Sequence, residues 1–250
     1  MNPLLQALIG AGLGAIIGSF LATIVSRWPR GQSVITTRSR CDGCGRVLHA
    51  IDLVPLVGWL IARGKCHACG ARIDSVHPLV ELGCALIGGF CGWAFPPLPA
   101  ALLAVGGWLL LTLAFLDARH LWLPDALTLP LATLGLTLGD WILPAPFLDR
   151  LIGALGGAVL LALLALAYKR LRGRDGLGLG DAKLLGAIGA WLGWQGLPFV
   201  LLIASAAALL WVLILRLTGR PVGAQTRIPF GTFLCLAVVP AWMIVPAGIV

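Results

Sequence analysis

Three aspartates lie at the edges of apolar stretches, where a carboxylate is costly and usually marks a functional site. Asp117 begins the segment D-A-R-H-L-W-L-P-D, Asp125 ends it, and Asp181 lies in G-L-G-L-G-D-A-K. Two carboxylates held close together share one proton, because the charge on the first opposes ionisation of the second. The ionised group can take a proton from water while the protonated group polarises a carbonyl, as in aspartic proteases. These residue types therefore suit hydrolysis of an amide bond.

Glycines at alternate positions lead to the last of these aspartates. Gly176, Gly178 and Gly180 precede Asp181, and Lys183 follows it. A backbone without side chains can approach a substrate closely and can break a helix at membrane depth. The lysine could stabilise an ionised aspartate or orient a substrate. The pattern favours a catalytic role for Asp181.

Each aspartate alone has a structural alternative, because aspartates at helix ends often cap the helix or face water. Asp125 follows Pro124 and precedes an apolar run, so capping explains it well. Asp117 and Asp181 together, with the glycine-rich approach, favour catalysis. The predicted supporting residues are Asp125, Lys183, Gly178 and Gly180.

Two C-x-x-C pairs, C-D-G-C-G and C-H-A-C-G, form a second candidate site. Their thiols belong to Cys41, Cys44, Cys66 and Cys69, with 21 residues between the pairs. Two such knuckles can present four thiolates to one tetrahedral zinc ion, which leaves no open position and favours a structural role. Two disulfides, or four free thiols, are the alternatives. Cys84, Cys91 and Cys235 lie in apolar runs, where a free cysteine is usually a small buried hydrophobe.

The composition requires a bilayer as the solvent of most of the chain. Of 250 residues, 59% are hydrophobic and only 11% are charged, whereas a soluble domain carries about a quarter. The net charge of +8 does not indicate nucleic-acid binding, because no basic face with interleaved aromatic residues is present.

Eight apolar runs are predicted to span the membrane, giving an all-α polytopic protein with lipid as its surroundings. The runs cover 4–25, 78–95, 99–116, 124–143, 151–168, 184–194, 197–217 and 229–250. With the N-terminus outside, seventeen of the eighteen Lys and Arg residues fall in the inner segments 26–76, 117–123, 169–183 and 216–228, which the positive-inside rule favours. In the first run, Gly12, Gly14 and Gly18 should allow close helix approach.

The predicted organisation follows from these runs. Residues 1–25 form the first transmembrane helix, and 26–76 form a small cytosolic zinc-binding domain between helices 1 and 2. Residues 77–250 form the remaining multi-span domain, which carries the aspartates. A segment of some 50 residues has little core of its own, so bound metal would supply much of its folding free energy.

Several ordered motifs resemble the prepilin peptidase family, bifunctional type IV leader peptidases and N-methyltransferases with a GxGD-type aspartic protease site. The motifs are G-S-F-L at 18–21, R-W-P-R-G at 27–31, both C-x-x-C segments, H-P-L-V-E ending at Glu81, both aspartate segments and P-F-G at 229–231. Two details depart from the family pattern: His77 stands where Tyr is common, and V-P-L-V-G-W replaces I-P-[VL]-x-S-[YW]. Neither departure touches the aspartates.

The resemblance implies a function for this architecture. Asp117 and Asp181 map onto the catalytic aspartates of enzymes that cut the leader from type IV prepilins or type II secretion pseudopilins at the cytosolic membrane face. Many members then methylate the new N-terminal residue with S-adenosylmethionine, and the cysteine domain belongs to that two-function form. Localisation would be the bacterial inner membrane. No glycine fingerprint for the methyl donor is visible, and Arg27, Arg30 and Glu81 are the candidates for binding it.

Three other functions compete with this prediction. A GxGD protease could cleave other membrane proteins, which substrate profiling would reveal. An ion- or proton-coupled transporter would place acidic residues at mid-membrane depth. A non-catalytic assembly factor, whose cysteine domain docks a partner, would tolerate replacement of both aspartates.

Overall fold

The computed structural model describes residues 2–34, 39–142, 145–173, 178–219, 223 and 226–244. This part of the chain is all-α, as predicted. Its helices are α1 Pro3–Arg27, α2 Val57–Ile61, α3 Val76–Ala94, α4 Pro97–His120, α5 Asp125–Leu138, α6 Phe147–Arg172, α7 Leu179–Leu217 and α8 Phe230–Ile244. Short 3₁₀ turns follow α1, precede α2 and follow α5. Gly176 and the end of the predicted span 229–250 lie outside the described residues.

Among the described residues, five helices are long and apolar enough to cross a membrane: α1, α3, α4, α6 and α7. α8 is apolar but has only 15 residues, and α5 has 14. α7 has 39 residues, roughly 58 Å at 1.5 Å per residue, which is about twice the thickness of a bilayer core. Gly193 interrupts it with φ 72° and ψ 175°, between the predicted spans 184–194 and 197–217. Counting both parts of α7, and setting the short α2 aside, the described residues form eight helices, in agreement with the prediction.

The chain divides into two compact units, Met1–Thr112 and Leu113–Val250, with the division inside α4. The predicted boundaries at residues 25 and 76 stay a prediction.

In the first unit, α1 and α3 pack with their backbones in contact. Gly10 lies against the backbone of Gly88, and Gly14 lies against the carbonyl of Cys84. A Cβ added at Gly18 would stand 2.8 Å from the Cα of Glu81. The contact glycines are four residues apart and therefore share one face of α1. Gly14 and Gly18 do allow the predicted close approach.

Gly12 does not take part in this contact, because the space around it is open within 4 Å. The prediction for Gly12 is therefore wrong, and Gly10 is the third contact residue. At 100° per residue, a position two residues from Gly10 and Gly14 points to the opposite side of the helix.

In the second unit, α6 and α7 also pack through glycine. A Cβ on Gly153 would stand 2.7 Å from the carbonyl oxygen of Gly189, and a Cβ on Gly189 would stand still closer to the carbonyl oxygen of Gly153. Trp191 donates its Nε1–H to the carbonyl of Leu131 at 2.7 Å, which ties α5 to α7. Without a hydrophobic driving force between helices in lipid, such close van der Waals packing and hydrogen bonds hold the bundle together.

A side chain of α6 stabilises the interruption of α7 at Gly193. Asp149 accepts hydrogen bonds from Gln195 Nε2 at 3.0 Å and Trp194 Nε1 at 3.3 Å. The positive φ at Gly193 suits only glycine, and a Cβ there would meet Gln195 Oε1 at 3.0 Å. The turn is thus specified by one glycine and by side chains on both sides of it.

Gly14→Leu should destabilise the first unit by about 1–3 kcal/mol, because the new side chain overlaps the α3 backbone. Gly12→Leu adds the same side chain in open space and should change stability by less than about 0.5 kcal/mol. Thermal unfolding of both purified variants in detergent measures the difference. Equal unfolding temperatures would contradict the packing described for α1 and α3.

Candidate active site and metal centre

The second unit brings Asp117 and Asp181 together, although 63 residues separate them in sequence. Asp117 lies in the last turn of α4 and is 4% exposed, and Asp181 lies in the first turn of α7 and is 8% exposed. The two carboxylates are close enough to repel each other when both are ionised, and the backbone N–H of Gly231 faces both. Two carboxylates that interact in this way can share one proton.

Thr232, at the start of α8, fixes the orientation of Asp117. Its backbone N–H donates to Asp117 Oδ2 at 2.7 Å. Its hydroxyl lies 3.1 Å from the same oxygen and 3.0 Å from the carbonyl of Ala114, and can donate to either. Sequence reasoning missed this residue. A hydroxyl directly after P-F-G in an apolar run is the signal that could have identified it.

Glycine is required at position 231 by its closeness to Asp117. A Cβ at this position would stand 3.0 Å from Asp117 Oδ2 and 2.8 Å from Leu123 Cδ1. The P-F-G segment is therefore the part of α8 that meets the carboxylates. Any larger residue at position 231 would displace Asp117 or Leu123.

Leu123 lies between the two glycine segments and was also missed by sequence reasoning. The Leu123 side chain approaches Gly231 on one side. On the other side, a Cβ added at Gly180 would stand 3.2 Å from the Leu123 Cβ. Gly178 lies beside the Asp181 carboxylate, since a Cβ at position 178 would be 3.4 Å from Asp181 Oδ2. The glycines predicted to support Asp181 do lie at the site, where they leave room for Leu123 and for the carboxylate.

The other two predicted supporting residues pair with each other. Lys183 Nζ donates to both oxygens of Asp125, at 2.7 and 2.9 Å, and both side chains are about half exposed. Asp125 is the first residue of α5 and provides no side-chain cap. A surface ion pair contributes about 0–1 kcal/mol, so it ties the starts of α5 and α7 together only weakly.

The first unit assembles the four cysteines into one cluster. Their sulfur atoms all lie within 4.8 Å of one another, and Cys41 Sγ is 3.8 Å from Cys69 Sγ. Tetrahedral zinc with Zn–S bonds of about 2.3 Å requires sulfurs about 3.8 Å apart. The cluster therefore fits a four-coordinate metal ion.

Both cysteine pairs adopt the same local fold. In the first, Gly45 N–H donates to the carbonyl of Cys41 at 2.9 Å, and in the second Gly70 N–H donates to Cys66 at 2.9 Å. The φ values of the two glycines are 71° and 72°, a left-handed conformation that glycine adopts without strain. The tight turns predicted after each pair are present.

The thiols of the second pair show how strongly four crowded sulfurs interact. The backbone N–H of Cys69, followed by that of Ala68, lowers the pKa of Cys66 to about 6. The Ala71 N–H acts to lower the pKa of Cys69, but burial and the other three thiols together raise it to about 11. One thiolate forms readily and the next is opposed, so a bound cation is needed to ionise the whole set.

Cys41→Ser should remove the metal, because a hydroxyl is a poor replacement for one of four thiolates. We expect zinc to fall from about one ion per chain to nearly none, measured by inductively coupled plasma mass spectrometry on protein purified without added chelator. Cys91→Ala, which changes a buried thiol of α3 outside the cluster, is the matched control and should keep its metal. Full zinc content in Cys41→Ser would exclude the cluster as the binding site.

Comparison with known proteins agrees with this geometry. The model of the bacterial peptidase A24 N-terminal domain matches residues 13–95, and that of the type IV leader peptidase family matches residues 104–213. No solved structure matches the chain.

Similar proteins named prepilin leader peptidase/N-methyltransferase cover nearly the whole chain. Those from Stutzerimonas stutzeri and Pseudomonas aeruginosa are each 36% identical to this chain, and each alignment includes 94% of this chain. The alignments include 90% and 89%, respectively, of the length of the two relatives. The protein from Aeromonas salmonicida (strain A449) is 40% identical over 82% of this chain and 70% of its own. The resemblance inferred from the sequence motifs is confirmed: the chain belongs to the type IV leader peptidase family.

Proposed function

We propose that this protein is a membrane-embedded aspartic endopeptidase that removes the leader of type IV prepilins or type II secretion pseudopilins and then methylates the new N-terminal residue. The observation that carries the proposal is the meeting of Asp117 and Asp181 at one buried site. The names of the similar proteins supply the substrate class and the second activity.

The geometry supports hydrolysis through a shared proton. The ionised carboxylate takes a proton from water, whose oxygen attacks the scissile carbonyl carbon while the protonated carboxyl donates to the carbonyl oxygen. The tetrahedral intermediate then releases the amine, with a proton passing to its nitrogen. Thr232 keeps Asp117 Oδ2 in place through this sequence, and the glycines at 178 and 231 leave room for the extended substrate backbone.

The positions of the aspartates in their helices support a reaction at a membrane face. Asp117 is in the last turn of α4 and Asp181 in the first turn of α7. The distribution of Lys and Arg favours the cytosolic side for that face, with the N-terminus outside. Arg150, the single basic residue assigned to the outer side, is 0% exposed and pairs with Asp140, so it does not oppose this orientation.

The cysteine cluster would hold zinc in a structural role. Four thiolates satisfy a tetrahedral ion and leave no position for substrate. The residues that would bind it are Cys41, Cys44, Cys66 and Cys69. When S-adenosylmethionine is bound, it supplies the methyl group for the amine that cleavage exposes.

Two competing functions fit the site less well. A proton or ion relay needs acidic residues along a path through the membrane, but Asp117 and Asp181 form one cluster at helix ends. An assembly factor gives no reason for two carboxylates to be buried in mutual repulsion. An intramembrane protease with other substrates uses the same chemistry, and profiling the cleaved proteins distinguishes it.

Asp117→Asn and Asp181→Asn should each reduce prepilin cleavage by more than about a thousand-fold, because an amide can neither accept nor share the catalytic proton. Mass spectrometry of the pilin N-terminus, with purified variants in detergent, measures cleavage and methylation in one assay. Asp42→Asn makes the same chemical change at an exposed residue of the first unit and should cleave like the wild type. Cleavage by Asp181→Asn at the wild-type rate would refute the proposed mechanism.

Thr232→Val should lower kcat for cleavage about ten-fold with little change in KM, because Asp117 loses a hydrogen bond that orients it and not a contact to substrate. Thr232→Ser keeps the hydroxyl and is the matched control, with kcat close to that of the wild type. If both variants had the same kcat, the hydroxyl would have no positioning role.

A further inference from the structure

An apolar patch lies on the outside of the cysteine-bearing segment between α1 and α3. It consists of six side chains that are each between 42% and 70% exposed: Ile51, Leu53, Val54, Val57, Leu60 and Ile61. None of the six belongs to a helix that is long enough to cross a membrane. Large exposed apolar groups that are concentrated in this way mark a surface that binds a partner or a membrane.

The short helix α2 turns its apolar face away from the rest of the first unit. Val57, Leu60 and Ile61 lie at positions i, i+3 and i+4 and therefore share one face, and all three are exposed. Gly58 lies on another face and is buried, since a Cβ there would stand 2.6 Å from the carbonyl oxygen of Asp52. A helix on a water-soluble domain has the reverse arrangement, with its apolar face toward the core. The arrangement of α2 therefore favours an apolar environment outside the unit.

A hydrogen bond to α3 holds the apolar patch at the level of a membrane boundary. The backbone N–H of Leu56, the residue before α2, donates to Glu81 Oε2 at 2.8 Å, and Glu81 lies in the second turn of α3. The 19 residues of α3 extend roughly 28 Å, close to the thickness of a bilayer core of about 30 Å. A helix of this length that crosses a bilayer has its first turns at the boundary between hydrocarbon and headgroups. The start of α2 lies at the same level.

The turns at both ends of α2 fix its orientation. Leu56 has φ 61° and Arg63 has φ 51°, a region that bulky residues other than glycine rarely adopt. Such a conformation persists only where the surrounding structure enforces it. The hydrogen bond to Glu81 holds the first turn, and the N–H of Arg63 donates to the carbonyl of Leu60 at 3.0 Å in the second. The outward direction of the apolar face is therefore built into the fold.

The charge of the surrounding segment complements an anionic lipid surface. Residues 26–76 contain eight Lys and Arg against three Asp, a net charge of +5 with the thiols protonated. The segment stays positive when four thiolates hold a divalent ion. Arg63 and Lys65 directly follow α2 and are both exposed. Anionic headgroups attract such residues, and their long side chains can reach lipid phosphates while apolar neighbours lie deeper.

We propose that the apolar patch lies in the interfacial layer of the bilayer, with its apolar side chains below the headgroups and Arg63 and Lys65 at the lipid phosphates. The partner is the anionic lipid surface beside segment 26–76, which is the cytosolic leaflet in the proposed orientation. A soluble protein partner fits less well, because it would have to displace lipid at this level. The cysteine-bearing segment is thus attached to the membrane by α1, by α3 and by the patch between them.

Fluorescence quenching of the full-length protein in lipid nanodiscs tests the position of the patch. A fluorescent amino acid replaces Leu60, and the discs contain lipids with a nitroxide on the acyl chain. The label at position 60 should lose about half or more of its emission to the nitroxide and should be shielded from acrylamide in the water. Ala68, an exposed residue between the cysteines of the second knuckle, is the matched control position, and a label there should respond in the reverse way.

The lipid composition of the discs tests the role of the basic residues. Nitroxide quenching at position 60 should be stronger with phosphatidylglycerol in the discs than with phosphatidylcholine alone. Arg63→Gln combined with Lys65→Gln should remove this difference, because glutamine is not attracted to anionic headgroups. Equal quenching of the singly labelled protein in both kinds of disc would overturn the assignment of Arg63 and Lys65 to the lipid phosphates.

Three results at position 60 decide the proposal. Quenching by the acyl-chain nitroxide and not by acrylamide supports it. Acrylamide quenching as strong as at position 68 would show that the patch faces water, and would overturn it. A label that neither quencher reaches would show that protein covers the patch, either the second unit or a second copy of the chain, and would also overturn it.

Zinc content and prepilin cleavage are measured on the same preparations. If the label at position 60 lowers either one, a label at Ile51 takes its place and the same three results decide. Cleavage does not depend on where the patch lies, so wild-type cleavage without nitroxide quenching would overturn this inference and leave the proposed peptidase function in place.

Discussion

The repulsion between two buried carboxylates is the constraint around which the second unit is organised. Asp117 and Asp181 become useful only when held close enough to share a proton, and that closeness opposes folding. The cost is offset by the donors of Thr232 and Gly231 and by Leu123, which fills the space between the glycine segments. These groups come from α4, α7, α8 and the turn before α5, so the complete second unit is needed to form the site.

Glycine provides the rigidity that such a site requires in a bilayer. Where lipid is as apolar as the helix surfaces, close backbone contact replaces the hydrophobic effect as the main source of helix association. Gly10 with Gly88, and Gly153 with Gly189, bring helix backbones together in the first and second units respectively. The same residue type therefore both stabilises the bundle and, at Gly231, makes room for chemistry.

The first unit stabilises charge in another way. Four thiols that resist joint ionisation require a cation, and the tight turns at Gly45 and Gly70 place them to receive it. Beside them, the buried Trp59 Nε1 has no hydrogen-bond partner among the described residues. A metal ion would complete the cysteine cluster, so a small segment with little apolar core would gain stability from the ion that it binds.

The sequence by itself determined the all-α class, the family and the cysteine cluster, because hydropathy, ordered motifs and C-x-x-C spacing are local patterns. It also identified Asp117 and Asp181 as candidates. Only the tertiary structure showed that Lys183 pairs with Asp125, that Thr232 orients Asp117, and that Gly10 replaces Gly12 in the helix contact. These facts depend on which helix faces meet, and side-chain contacts between distant segments leave no periodic signal in one chain.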